Sequence, residues 1–369
     1  MLVVTPSDPC EEVIVSKPDV CLSPSQLMQC FQETPTAQFG IEVEVFIVDQ
    51  ETNQPVDGFE AIYRSLPEEL QQQTTGEFLK CQIEFATTPS LNPEHHRKQL
   101  MQFQRAASKA AAEFGAKLAW VATLPDWEFD TTMIRDCPRS RSIVSRHGLR
   151  ARNLATCSMH VHTQVARSAA IPVVDSLNSY VPLLVALSAN SPAIAGRSHG
   201  LASERANIWA FQFLTSGFPR LFGSWERFNQ HIELLRRAGR IEVLKDLYYF
   251  VRPTRYGTVE VRCCDLPKDV DRVVALATLI QCSAMQAASA PTERVPADLL
   301  HANLVEAITH GADAELDTPS GVSKPANLFA SSLIEGWSES LLPALSELAT
   351  SLRAVDWTSS DGRPTVRGC

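Results

Sequence analysis

The chain has no run of about 18 uncharged apolar residues, so a transmembrane helix is not expected. A signal-peptide core is missing as well, because Asp8, Glu11 and Glu12 interrupt the apolar start. Ten cysteines are present without a framework of spacings, and Cys263 and Cys264 are adjacent. Free thiols in a reducing cytoplasm are therefore the expectation, and with them a cytoplasmic location. Positive charge is in deficit: 33 Lys and Arg stand against 42 Asp and Glu, a net charge of −9. That balance argues against nucleic acid or an anionic membrane as partner. Nucleotides stay open, since their metal complexes are drawn to carboxylates. Internal repeats and low-complexity tracts are absent. The loop 191–205 carries Gly196 and Gly200, but at neither Walker nor dinucleotide-binding spacing.

What remains is ordinary globular composition, 44% hydrophobic and 20% charged over 369 residues, enough for a native-sized core. Prolines at 6, 9, 18, 24 and 35 mark residues 1–36 as an irregular extension. Strands are expected at 39–49, 78–87 and 257–264, around His160 and His162, and, as a buried strand, at 117–123. Asn92-Pro93-Glu94 is a helix start, with a capping side chain, Pro at the first position and an acid near the positive dipole end. That helix should run to about Phe114 and stop at Gly115. Residues 125–155, rich in arginine and punctuated by Pro125, Pro138 and Gly148, read as a long functional loop. Further helices are expected over 173–190, 270–288, 296–311 and 326–352. Alternating rather than continuous apolar patterning implies α+β: an antiparallel sheet with helices on one face. A single domain then covers 37–355, followed by a polar tail, 356–369.

Four segments place charged or imidazole side chains at alternate positions: Gly40-Ile41-Glu42-Val43-Glu44-Val45, Cys81-Gln82-Ile83-Glu84-Phe85, Met159-His160-Val161-His162 and Thr258-Val259-Glu260-Val261-Arg262. In a strand, alternate side chains share a face. Glu42, Glu44, Glu84 and Glu260 gathered on one surface repel one another unless a cation compensates, and Mg2+ suits such hard oxygens. An exposed acidic sheet face is the plainer alternative. His160 and His162 face the same way and can be two ligands of a zinc-type ion or neighbours of a nucleotide. Arg262 can pair with Glu260 or clamp a phosphate. Arg205, near Trp209, can meet an anion. A thiol nucleophile has no support in the spacing of the cysteines.

Together these stretches resemble the glutamate–cysteine ligase type 2 family, the carboxylate–amine ligases. Gly40 to Glu44, Gln82-Ile83-Glu84 and Met159 to His162 carry the resemblance, joined by Pro182 to Pro192, Gly196 to Arg205 and Phe222-Gly223-Ser224-Trp225. Val251-Arg252-Pro253 and Gly257 to Arg262 complete it. It implies that the domain 37–355 is catalytic, with a glutamine-synthetase-like, curved antiparallel sheet whose polar face holds ATP and Mg2+. A carboxylate activated as an acyl phosphate would there be attacked by an amine. The implied substrates are an amino-acid-like acid and an amine, and the implied assembly is a homodimer. The resemblance implies Glu42, Glu44, Glu84, His160 and Glu260 as metal-facing. It implies His160, His162, Arg205 and Trp209 beside the nucleotide, and Arg262, Arg205 and Glu84 as catalytic. Two departures stand out: Ser158-Met159 precede the His-x-His where the family shows Gly, and His310-Gly311 replaces an Arg-Gly after Asn303 and Ala307. The alternatives are a metal-dependent amide hydrolase using the two histidines, and a diverged binding subunit.

Overall fold

Ser23 accepts a hydrogen bond from the Gln26 amide while Gln26 reaches back to the Ser23 amide, a capping box that starts α1 (Pro24–Cys30). The expected irregular extension is thus partly helical, and Leu27 and Phe31 enter the core. This is a computed structural model describing residues 23–213, 215–290, 295–340, 352–353 and 355–357; residues 1–22 of that extension lie outside the description.

The alternation at 39–49 forms β1 (Phe39–Asp49), followed by α2 (Phe59–Ser65), α3 (Glu68–Gln71), β2 (Thr74–Gly76) and β3 (Gln82–Ala86). The strand expected from residue 78 is shorter because Leu79 bridges to Ile134 instead of joining β3. Asn92 accepts from the Glu94 amide and caps α4 (Pro93–Ala112), and Gly115 follows at φ +74°. The strand expected at 117–123 is β4 (Ala116–Ala119), with Lys117 exposed rather than buried. The supposed loop 125–155 contains α5 (Pro138–His147): Pro138 opens that helix and Gly148, at φ +55°, ends it. Then come β5 (Met159–Gln164), α6 (Ala170–Leu177), α7 (Val181–Ser188), α8 (Glu204–Phe211), β6 (Ser216–Gly217), α9 (Trp225–Arg237), β7 (Tyr248–Tyr249), β8 (Val251–Pro253) and β9 (Thr258–Val261). The C-terminal part is α10 (Val270–Ser289), α11 (Ala297–His310), the hairpin β10 (Glu315–Asp317) with β11 (Ser323–Pro325), and α12 (Ala326–Ser340). Residues 341–351 of the helix expected to 352, and 358–369 of the tail, lie outside the description. Trp357 of that tail is buried, with the Arg272 guanidinium 4.9 Å above its ring.

Seven strands form one open, antiparallel sheet in the order β2-β3-β1-β5-β9-β8, with β4 on the far end of β1. One face carries Ile41, Val43, Val45, Ile83, Phe85, Met159, Val161, Val259 and Val261, all buried in a single apolar cluster. Helices α4, α6 and α10 pack there, and Phe85 stacks on Phe103 with ring centres 4.5 Å apart. The expected α+β fold with one helix-covered sheet face is what the chain adopts. Residues 170–188 are the one stretch among the described residues long and apolar enough to cross a membrane, and 83% of that window is buried inside the protein. The other sheet face turns apolar at Phe46 and Val48, where a second cluster closes one end of a cavity.

Candidate active site

Strand register decides which polar side chains meet. Glu44 lies opposite Glu84, and Glu42 opposite His160. His162 and Arg252 lie on either side of Glu260. The four alternating segments therefore do share one face, as the period-two pattern requires. They floor a cavity of about 790 Å3, a size suited to a small-molecule ligand. Glu42, Glu44, Glu84, His160, His162, Arg205, Trp209, Glu260 and Arg262 all line it.

Like charges directly opposite on neighbouring strands repel. Here Glu44 and Glu84 are joined by Glu77, which follows β2, and ligand oxygens of the three lie within 4.8 Å of one another. Burial pushes the Glu84 carboxyl well above its ordinary range, and Glu77, Glu42 and Glu44 push it further. Burial and Glu77 also raise Glu44, against His160, Ser158 and Arg205. Uncompensated carboxylates of this kind, all hard oxygen donors, fit a Mg2+-type cation. Two more groupings, Glu42-Glu84-His160 and Glu42-His162-Glu260, continue across the floor.

Ser158 knits the centre of this floor. Its hydroxyl donates to Glu44 at 2.6 Å and lies 2.8 Å from His160 Nε2. The other ring nitrogen of His160 is 3.1 Å from Glu42. Both nitrogens are engaged, so His160 here spans two carboxylates. His162 Nδ1 lies 2.8 Å from the Thr258 hydroxyl, and Nε2 is 3.2 Å from Glu42. Burial would raise the Glu42 carboxyl, but His162 and His160 outweigh it and hold it well below the usual range.

At the far end Glu260 is almost fully buried. Arg252 Nε donates to one of its oxygens at 2.5 Å, and Arg262 pairs with the other. Burial opposes ionisation there, yet the two guanidinium groups keep the carboxyl below its ordinary range. Arg205 is buried and committed elsewhere: its two terminal nitrogens donate to the carbonyls of Cys263, at 3.2 Å, and Arg262, at 3.0 Å. Asp265, held by Ser191 and Ser203, backs it at 3.8 Å. Trp209 donates to Thr156 at 3.1 Å and forms part of an aromatic wall with Phe213 and Tyr248.

Glu77, Ser158, Arg252 and Tyr248 belong to the cavity but were not foreseen as site residues. Ser158 was visible only as a departure from the family's Gly. Arg252 sits in a three-residue strand, and Glu77 and Tyr248 adjoin or form short strands with no periodicity to read. Among the described residues, none beyond Arg262 lines the cavity. Asn303 instead bonds both ways with the Asp317 backbone, so α11 supplies no side chain to the cavity.

The glutamate–cysteine ligase family 2 model matches residues 38–319. A protein of Paracoccus denitrificans named "Putative glutamate--cysteine ligase 2" is 32% identical over 253 residues, 68% of this chain and 66% of that protein. A similarly named protein of Rubrobacter xylanophilus is 34% identical over 323 residues, 86% of this chain and 87% of its own length. Among solved structures, the glutamate–cysteine ligase of Francisella tularensis in complex with AMP superposes at TM-score 0.63, with 13% identity, over 88% of this chain and 82% of that one. A bifunctional glutathione synthetase from Pasteurella multocida gives 0.59 at 16% identity, over 89% of this chain and 48% of that one. These two share the fold. With the family match over most of its length, the chain belongs to glutamate–cysteine ligase family 2 and is a glutamate–cysteine ligase-like enzyme.

Proposed function

We propose that the cavity joins the carboxylate of an amino-acid-like substrate to an amine at the expense of ATP, with Mg2+ on the polar sheet face. Glutamate and cysteine are the default pair, in keeping with the names of the relatives. The AMP in the F. tularensis ligase supports nucleotide use. The observation that carries the reading is the trio Glu44, Glu77 and Glu84, three mutually repelling carboxylates on the floor of a ligand-sized cavity. ATP supplies the phosphoryl group that turns the substrate carboxylate into an acyl phosphate, and Mg2+ offsets the charge of the phosphates.

The chain's own residues do the rest. Glu44, Glu77 and Glu84 hold the cation, and Glu42 with Glu260 and His162 extend the floor to a second position. His160 orients Glu42. Arg262, fixed by Glu260, meets developing negative charge. Arg205, with its terminal nitrogens committed to backbone carbonyls, positions Arg262; the phosphate contact expected of it falls to Arg262. Trp209 shapes the apolar wall.

Release of ADP and phosphate, screened across acid and amine pairs with Mg2+, tests the reading. At least one pair should stimulate ADP formation in strict dependence on both substrates. Metal-dependent amide cleavage without ATP, or no stimulation by any pair, would sink it. Ser158→Ala should raise the Mg2+ concentration needed for half-maximal rate about tenfold, with a smaller change at saturating Mg2+. An unchanged Mg2+ dependence would remove Ser158 from the support of Glu44.

A further inference from the structure

Glu77 is the member of the acidic trio that no strand ladder fixes. β2 pairs with β3 from Thr74 to Gly76, so Glu77 lies one residue beyond the last pair, Gly76 with Ile83. Its carboxylate accepts a hydrogen bond from the Phe78 amide at 3.2 Å, and the Phe78 carbonyl accepts one from the Arg135 amide at 3.1 Å. The Lys80 amide donates to the Met133 carbonyl at 2.8 Å and Leu79 bridges to Ile134, so residues 133–135 run beside 78–80 directly after Glu77.

The Arg135 side chain closes the turn from its other end. A Cβ on residue 76 would fall on the Arg135 guanidinium. The φ of Gly76 is not positive, so this close approach, and not the backbone, is what calls for glycine there. Gly76, Glu77 and Phe78 line the cavity, and Arg135 stands behind them. The guanidinium is poorly served in that place. Its side chain is 8% exposed, 4.5 Å over the Phe59 ring, and its acidic partner Glu60 is 41% exposed and 3.5 Å away. Nη1 is buried with no hydrogen-bond partner among the described residues. A buried charge so weakly paired costs the fold more than it returns. What it does accomplish is to fix residue 76.

We infer that Arg135 is a positioning residue for the cation trio. Its guanidinium, seated over Gly76, and its amide, bonded to Phe78, hold the residues on either side of Glu77 and so aim that carboxylate at Glu44 and Glu84. The inference rests on the trio of the ligase reading and names what holds its third member.

The test is a double-mutant cycle on Mg2+ binding, read by calorimetry on the full chain without nucleotide, with thermal unfolding of each variant recorded alongside. Arg135→Ala and Gly76→Ala should each weaken Mg2+ about tenfold, the scale at which groups that orient metal ligands act. The double variant should bind as Arg135→Ala alone does, because the added methyl then has no guanidinium to displace. Independent roles would instead add to about a hundredfold and would overturn the inference. Variants that unfold at lower temperature yet bind Mg2+ as wild type does would overturn it too, and leave Arg135 a structural residue. If Arg135→Ala does not fold, Gly76→Ala carries the test, and wild-type Mg2+ affinity in that variant is the contradicting result. Wild type that binds Mg2+, with every variant equal to it, would overturn the role of Arg135 and leave the trio standing. Wild type that binds no Mg2+ would overturn the trio and the positioning role with it.

Discussion

Glu84→Gln is expected to lower ADP formation by about a thousandfold or more, the scale of several kcal/mol of lost charge stabilisation. At alkaline pH, where both raised carboxyls are ionised, the same change should raise the stability of the metal-free protein by roughly 0.5–1 kcal/mol, because it removes one of two directly opposed like charges. Activity and stability moving in opposite directions separates a cation site from a structural carboxylate, whose loss costs both. The pH dependence follows from the direction of the shifts. Glu84 and Glu44 have carboxyls raised in the folded protein by burial and by neighbouring acids. Their favourable contribution is complete below the ordinary carboxylate pKa and is lost as pH rises through the raised values. Without Mg2+, the protein should therefore lose stability as pH climbs through that window. Added Mg2+ should restore it, and most strongly at the alkaline end, as thermal denaturation with and without the ion will read. Equal Mg2+ stabilisation at acidic and alkaline pH would contradict the trio as its site.

Glu260→Gln should be the most damaging single change to the fold itself. It leaves Arg252 and Arg262, with side chains only 13% and 18% exposed, without the carboxylate that both contact. Removing one partner of a buried ion network leaves uncompensated charge and costs about 3–5 kcal/mol. The contribution has the opposite pH sign to that of Glu84. Because the folded Glu260 carboxyl is depressed, its contribution is present above the ordinary carboxylate pKa and lost only as pH falls through the depressed value. Denaturant titrations of wild type and variant should thus differ fully near neutrality and converge only in strong acid. Glu233→Gln, which breaks the exposed pair with Arg237, is the control and should change little. Equal, small losses in both variants would remove the Arg252–Glu260–Arg262 network from the framework of the site.

The floor of the site was legible because a strand's period is fixed: in β1, β3, β5 and β9 one parity is mainly apolar, and the other carries Glu42, Glu44, Glu84, His160, His162 and Glu260. Asn92-Pro93 marked the start of α4 for the same kind of local reason, a cap followed by a residue that needs no helical partner for its nitrogen. The cavity's other walls were not legible. α5 is a polar helix with Ser140 its one buried residue, so it has no apolar stripe, and its Pro138 and Gly148 read as loop punctuation although they are helix ends. Glu77 reaches the trio from a turn after a three-residue strand, and Tyr248 comes from a two-residue strand. Too few residues lie in either for any period to register. Arg205 was read as an anion contact from its neighbourhood in sequence. Only the fold shows its terminal nitrogens spent on the carbonyls of Arg262 and Cys263.

Oxygen transfer tests acyl-phosphate ligation most directly. An acid labelled with 18O in its reacting carboxylate is incubated with the enzyme, Mg2+, ATP and the amine that best stimulates ADP release. Phosphoryl transfer makes one labelled oxygen the bridge to phosphorus, and attack of the amine expels it with the phosphate. One 18O per amide formed should appear in inorganic phosphate, and Glu84→Gln should abolish both products together. Amide formation with unlabelled phosphate, or amide formation without ATP, would contradict it.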